Sequence, residues 1–336
     1  MRRGGERSVR RLWLLLVAWG VMFALVAGCG GGGETQAPEE KKVNLGIIQI
    51  VEHAALDAAR QGFLDLLAEK GYKEGENLIV DYKNAQNDQS VLQTIADEFV
   101  REKKDLILAI ATPSAVAMAN KTQDIPILIT AVTDPVAAKL VKSMDKPGTN
   151  VTGTTDMNPV KEQLQLIKDC VPTVKKVGVI YNSSEVNSQV QVDLCKQVAP
   201  ELGLEIVEAP ITSMNEVMQG AQSLVGKVDA VYVPTDNTVV AAIASVVQVC
   251  EKNKLPLFAG EANTVEKGAI GTYGIDYYKL GRQTGEMALR VLQGEKPQDM
   301  PIESQKDLTL TLNAGAAERM GVTLPEEIKA RASKIF

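Results

Sequence analysis

Histidine is almost absent from this chain: His53 is the only one in 336 residues. That excludes a multi-histidine metal site, and a Ser-His-Asp triad would have to be built on this single residue. Cysteine is also scarce. Apart from Cys29, only Cys170, Cys195 and Cys250 remain, an odd number without the close pairing of a metal site. An exported protein can join two of them in a disulfide, but three buried thiols used as small apolar residues is the simpler reading. Aromatic residues make up only 4% of the chain. A basic cluster is lacking too. The formal charge is −6, and removing residues 1–28, which hold five Arg and one Glu, leaves −6 − 4 = −10. An acidic body of this kind argues against nucleic acid as a partner.

The first 33 residues supply what is distinctive. Arg2, Arg3, Arg7, Arg10 and Arg11 lead into an apolar run from Leu12 to Ala27, which stops at Gly28-Cys29. A cationic start, an apolar stretch and a small-residue cleavage site describe an export signal peptide over residues 1–28. The run is too short and one-sided to be a membrane-spanning helix. Val26-Ala27-Gly28-Cys29 resembles a bacterial lipobox, in which the cysteine is acylated, for instance with palmitate, and becomes the new N-terminus. The competing readings are a plain signal peptide cut nearby and an uncleaved anchor. Residues 29–42 are glycine-rich and charged and suit a flexible tether. The expected place is the outer face of a bacterial cell membrane, on the periplasmic side where an outer membrane exists.

From Val43 onward short β-branched runs alternate with helical segments. Strands are expected over 43–51, 77–82, 105–111 and 125–132, with helices over 56–70, 90–103, from Pro113-Ser114, and around 135–143. The series then restarts, with helices over 160–169, 188–202, 214–225 and 238–252 and strands over 176–181, 204–209, 228–233 and 255–259. Strict alternation means parallel sheets covered on both faces. The fold class is α/β, with two doubly wound lobes enclosing a cleft. Lobe 1 is expected over 43–152 with a return segment at about 277–300, and lobe 2 over 153–276 with a C-terminal segment at about 301–336.

Ligands of such sheets sit beyond the carboxyl ends of the strands. Thr112, Pro113 and Ser114 open a helix there, where free backbone N–H groups and two hydroxyls suit a carboxylate. Asp236 and Asn237 occupy the matching loop of the second half. Thr133 and Asp134 follow the fourth strand, Asp156 is expected in a loop, Gly153-Thr154-Thr155-Asp156, and Glu261 follows Phe258-Ala259-Gly260, while Gln49 and His53 follow the first strand. An ordinary helix cap is the plainer use of Thr112, Ser114, Asp236 and Asn237, and a solvated loop acid is the plainer use of each carboxylate. Arg and Lys are missing from these loops, which argues against a phosphate and favours a zwitterion. The ammonium is expected on Asp236 and the carboxylate at the Thr112/Ser114 helix start. Tyr181, Tyr232, Phe258, Tyr273, Tyr277 and Tyr278 could form a stacking pocket, although core packing suits any one of them.

Several strings carry a family resemblance: Gln49-Ile50-Val51-Glu52-His53, Ala111-Thr112-Pro113-Ser114-Ala115, Val132-Thr133-Asp134-Pro135, Asn150-Val151-Thr152-Gly153 and Tyr273 through Gly285. In this order they resemble the ABC-importer substrate-binding lipoproteins of the aromatic-amino-acid (tryptophan/tyrosine) type. The resemblance implies a type I periplasmic-binding-protein clamshell that captures Trp, Tyr or Phe and delivers it to an ABC permease. It implies ligand contacts at Thr112/Ser114, Thr133-Asp134 and Asp236-Asn237. The chain is expected to be a non-enzymatic monomer that needs no cofactor or metal and reaches the membrane through its lipid. Two other readings stay open: a ligand sensor docking on a receptor or kinase, and an extracellular enzyme.

Overall fold

The computed structural model describes residues 42–305 and 307–336. The expected signal peptide, Cys29 and nearly all of the tether lie outside them. The described chain opens with β1 (Val43–Gln49), α1 (Ala54–Glu69), β2 (Leu78–Asn84), α2 (Gln89–Arg101), β3 (Leu106–Ile110), α3 (Thr112–Ala119), β4 (Ile127–Val132) and β5 (Val151–Thr155). It continues through α4 (Val160–Cys170), β6 (Lys176–Asn182), α5 (Val186–Val198), β7 (Glu205–Ile211), α6 (Val217–Leu224), β8 (Ala230–Val233), α7 (Asn237–Ala241), α8 (Ile243–Asn253) and β9 (Leu257–Ala259). It ends with α9 (Ala262–Glu266), β10 (Gly271–Gly274), α10 (Tyr277–Leu292), β11 (Glu303–Ser304), β12 (Thr309–Leu312), α11 (Ala314–Arg319), α12 (Glu326–Arg331) and β13 (Lys334–Ile335).

Two parallel sheets carry the architecture. The first has the order β11-β5-β4-β3-β1-β2 and the second β7-β6-β8-β9. Helices α1 and α10 cover one face of the first sheet, and α2 and α3 the other. Because both faces are covered, β3 and β4 are buried at every residue. Each sheet has its own apolar core, one around Leu45, Phe63, Phe99 and Ile129 and the other around Val179, Tyr232, Phe258 and Leu312. The chain passes between the cores three times: between β5 and α4, between β10 and α10, and between β11 and β12. Several crossings of this kind make a hinge rather than a single flexible link.

Three local expectations are corrected. Residues 135–143 form turns, not a helix. The Asp134 carboxylate accepts from the backbone N–H of Val136 and Ala137, and Lys139 then takes a left-handed φ of 58°, which ends any helical run. The Val-Thr-Gly-Thr-Thr stretch before Asp156 is a strand, β5, not a loop. The helix expected over 238–252 is broken at Ala242 into α7 and α8. The third sheet, β10-β12-β13, with β10 and β12 antiparallel, has no counterpart in the alternating pattern. Among the described residues no helix is long and apolar enough to cross a membrane. Cys170, Cys195 and Cys250 are free and buried, and burial pushes each thiol up to about 12.

Candidate functional site

The strand order fixes which loops meet. Reading across the first sheet, β5, β4, β3 and β1 end at Asp156, Thr133, Thr112–Ser114 and Gln49–His53. Across the second, β6, β8 and β9 end at Asn182–Glu185, Thr235–Asn237 and Glu261. The two edges face one another. Asn87 Nδ2 of the first lobe donates to Thr238 Oγ1 of the second at 3.1 Å, and the Asn237 side chain lies near His53.

Almost every member of this cleft is buried. Gln49, Thr112, Ser114, Thr133, Asp156, Asp236 and Glu261 are all 5% exposed or less. Their hydrogen bonding divides them into two groups. Gln49 is satisfied within its own lobe: its amide donates to Val51 O at 2.8 Å and Asp57 Oδ1 at 2.9 Å, and its oxygen accepts from Arg60. Asp134 is occupied by its turn. Asp236 caps α7 through Val239 N at 2.8 Å and accepts from Asn182 N and Ser188 Oγ, both at 2.6 Å. Asn237 donates to Glu185 Oε2 at 2.5 Å. These four hold the loops in shape.

The second group keeps buried polar atoms without a partner: both ring nitrogens of His53, Thr112 Oγ1, Ser114 Oγ, Asp156 Oδ1 and Glu261 Oε2. An unpaired buried polar atom costs roughly 1–3 kcal/mol, so five residues of this kind at one cleft need an explanation. Thr112, Pro113 and Ser114 form the first turn of α3, where proline is pre-set for the helix. Ala111 before them has φ 73°, a left-handed conformation that a non-glycine residue adopts at a cost, and such strain gathers at ligand clamps. Asp156 Oδ2 accepts from Tyr277 Oη at 2.8 Å, which leaves Oδ1 free to point elsewhere.

The electrostatics follow from burial. Desolvation raises Glu261 to about 8, and the Asp156 and Asp236 charges push it the same way against Lys267. Burial likewise raises Asp156, opposed by its bonds to Tyr277 and Thr133. Burial raises both Asp236 and Glu185, and the Asp236 charge pushes Glu185 the same way. His53 is held down to about 3 by burial and by Lys267, so its ring is neutral. The cleft therefore brings the hydroxyls of a helix start and Asp156 from the first lobe up to Glu261 from the second, with Asp156 Oδ1 and Glu261 Oε2 lacking a hydrogen-bond partner.

Sequence reasoning missed Glu185 and Lys267 as members of this group, and it named Tyr277 only as a stacking aromatic, not as the partner of Asp156. Glu185 binds Asn182, Asn187, Asn237 and Thr238, and no local signal marks it. The expected aromatic pocket is not there. Tyr232 and Phe258 are core residues of the second lobe, and Tyr181, Tyr273 and Tyr278 bond Glu208, Arg331 and Asp65 away from the cleft. Only Tyr277 reaches the cleft acids.

Known proteins are similar to this chain in sequence and fold. The family model for ABC transporter substrate-binding proteins matches residues 44–336. A tyrosine-binding protein of Clostridioides difficile (strain R20291) is 45% identical over 311 residues, 90% of this chain and 90% of that protein. A solved ABC domain from Streptococcus pneumonia in complex with L-Trp is 37% identical, with TM-score 0.85 over 88% of this chain and all of that one. A ligand-free, open substrate-binding protein with adhesive properties from Clostridium difficile is 50% identical over 87% of this chain and 99% of that one, yet its TM-score is 0.66. Higher identity with poorer superposition is what the same two lobes at another hinge angle produce. The architecture is the type I periplasmic-binding-protein fold, and the chain belongs to the ABC transporter substrate-binding protein family.

Proposed function

We propose that this protein captures a free aromatic amino acid outside the cytoplasm and delivers it to an ABC permease. The observation that carries the reading is the set of unpaired buried atoms on the two edges of the cleft. Thr112 and Ser114, with the backbone N–H groups of α3, receive the carboxylate. Glu261 and Asp156 receive the ammonium. Asp236, Asn237, Gln49 and Asp134 position these groups, and Thr133 holds Asp156. The aromatic side chain is argued from the tyrosine-binding and Trp-bound relatives and is received near His53 and Tyr277. No catalytic step belongs to this reading.

Calorimetry with Tyr, Trp, Phe and Leu, and with the amide and N-acetyl forms of the best ligand, tests each end separately. Both blocked forms are expected to bind more than about thirtyfold more weakly, because each leaves buried charge partners unmet. An N-acetyl compound that binds as well as its parent would rule out the carboxyl pair as an ammonium site. Equal binding of Leu and Tyr would remove the aromatic preference alone. A chain starting at Cys29 contains no tryptophan, since Trp13 and Trp19 both precede it. The change in L-Trp emission on binding is then read without tryptophan emission from the protein.

The same reading holds the mature chain to the membrane as a monomer through lipid on Cys29. Metabolic labelling with a fatty acid is expected to mark the wild type and not Cys29→Ala. A label that persists in the variant would refute the anchor.

A further inference from the structure

All strands of the first sheet run in parallel, so their starts form an edge opposite the cleft. A hollow of about 820 Å³ opens there, between the end of α3, the segment joining β4 to β5, and the turn at 298–299. Lys139, Lys142 and Lys146 line it, and Asp299 is the single carboxylate among its lining residues. All three lysines are exposed. Among the described residues none of them forms an ion pair, whereas nearby Lys104 pairs with Asp81 and Glu102, and Lys121 with Asp97. Three lysines without an ion pair among the described residues, against one carboxylate, stand out around one hollow in a chain of formal charge −6.

The chain enters the fold on this same edge. Val43 starts β1, three strand spacings from β5, which is about 15 Å. Residues 29–42 reach at most about 50 Å when fully extended. A lipid on Cys29, as argued above, would therefore hold this edge within about 50 Å of the bilayer.

We propose that the hollow docks the body on anionic phospholipid, with headgroup phosphates seated among Lys139, Lys142 and Lys146. The first lobe then rests against the bilayer by the edge opposite the cleft, and the strand ends that line the cleft stay off the lipid while the protein collects ligand. Each lysine near an anionic surface contributes a modest attraction that falls off within a Debye length. Three together hold a tethered body in one orientation without fixing it there.

The test uses lipid-free protein starting at Lys42, so it does not depend on acylation. This piece carries both cores, whose members among the described residues lie between Leu45 and Ile328. It is sedimented with phosphatidylcholine vesicles with and without roughly one third phosphatidylglycerol at low salt. Binding is expected only with the anionic lipid, and the triple variant Lys139→Gln/Lys142→Gln/Lys146→Gln is expected to lose at least about tenfold. The control triple Lys175→Gln/Lys227→Gln/Lys252→Gln, which removes three exposed lysines of the second lobe, is expected to bind as the wild type does. Equal loss in both triples would mean net charge alone is read, and the hollow is not a site. Wild-type protein that ignores anionic vesicles would overturn the proposal outright. Displacement by millimolar inorganic phosphate would overturn it as well, by assigning the hollow to a soluble anion.

Discussion

Glu261→Gln weakens binding of the free amino acid by more than about thirtyfold and leaves binding of its N-acetyl form unchanged. The expectation rests on which acids still have an atom to offer. Removing one partner from a buried charge pair costs roughly 2–5 kcal/mol, and 1.4 kcal/mol is tenfold in affinity. Glu261 Oε2 and Asp156 Oδ1 are unpaired, whereas the Asp236 oxygens already accept from Val239, Asn182 and Ser188. Asp236→Ala is therefore expected to act mainly on stability. It removes the α7 cap, worth about 1 kcal/mol, and strands two further donors. If Asp236→Ala abolishes binding at an unchanged melting temperature while Glu261→Gln binds normally, Asp236 reads the ammonium after all.

The same residue sets a pH dependence. In the closed cleft Glu261 is neutral up to about pH 8, above its ordinary range, because burial disfavours its charge. A carboxyl with a raised folded-state pKa holds its proton while the unfolded chain has already lost it. The Glu261 contribution to the stability of the ligand-free protein then falls as pH rises from about 4.5 toward 8. His53, held down to about 3, contributes the opposite slope below its ordinary 6.5, so the fall is read between about 6.5 and 8. Burial raises Asp156 and Asp236 as well, so they add to the same slope. Ligand binding has the opposite sign. An ammonium needs the ionised carboxylate, so capture releases a proton and affinity rises through that window. Calorimetry in two buffers of different ionisation heat measures the proton released, and Glu261→Gln is expected to remove it.

The strand-helix alternation made the parallel sheets legible, because a doubly covered sheet needs continuous apolar strands such as Leu106–Ile110. It concealed the third sheet, whose strands are short and lie on either side of α10. The stretch around Pro135 fails as a helix through the Lys139 backbone, which no side-chain pattern reports. Residues of the cleft were found because strand ends are countable from sequence. Their division into atoms engaged within the protein and atoms left without a partner was not legible. Asp236 is engaged by Asn182 and Ser188, 54 and 48 residues away, and Glu261 feels Lys267 only after α9 turns. The aromatic pocket failed for a related reason: Tyr232 spends its hydroxyl on Gln163 of α4, inside the second lobe.

Gly281→Val is expected to cost at least about 3 kcal/mol. Helix α10 brings the chain back to the first lobe and lies directly on α1. A Cβ at Gly281 would stand 1.8 Å from the carbonyl oxygen of Ala59, and one at Gly62 would stand 2.0 Å from that of Tyr278. Both obstacles are backbone, so no side chain can swing aside. The helices must separate, and Phe63, Leu66, Leu280 and Met287 then lose packing in the first core. Separation also moves Tyr277, which holds Asp156 at the cleft, so ligand affinity falls along with stability. A loss of 3 kcal/mol lowers the melting temperature by roughly 6–12 °C in a protein of this size. Gly315→Ala provides the contrast. A Cβ there meets Arg319 Nη1 at 3.1 Å and Asn313 Oδ1 at 3.5 Å, side-chain atoms rather than backbone. Inside helix α11 the change is expected to stabilise by about 0.5–1 kcal/mol, by reducing the freedom of the unfolded chain. Thermal denaturation of the two variants should shift in opposite directions. A Gly281→Val protein that melts with the wild type would show that α1 and α10 do not depend on backbone contact.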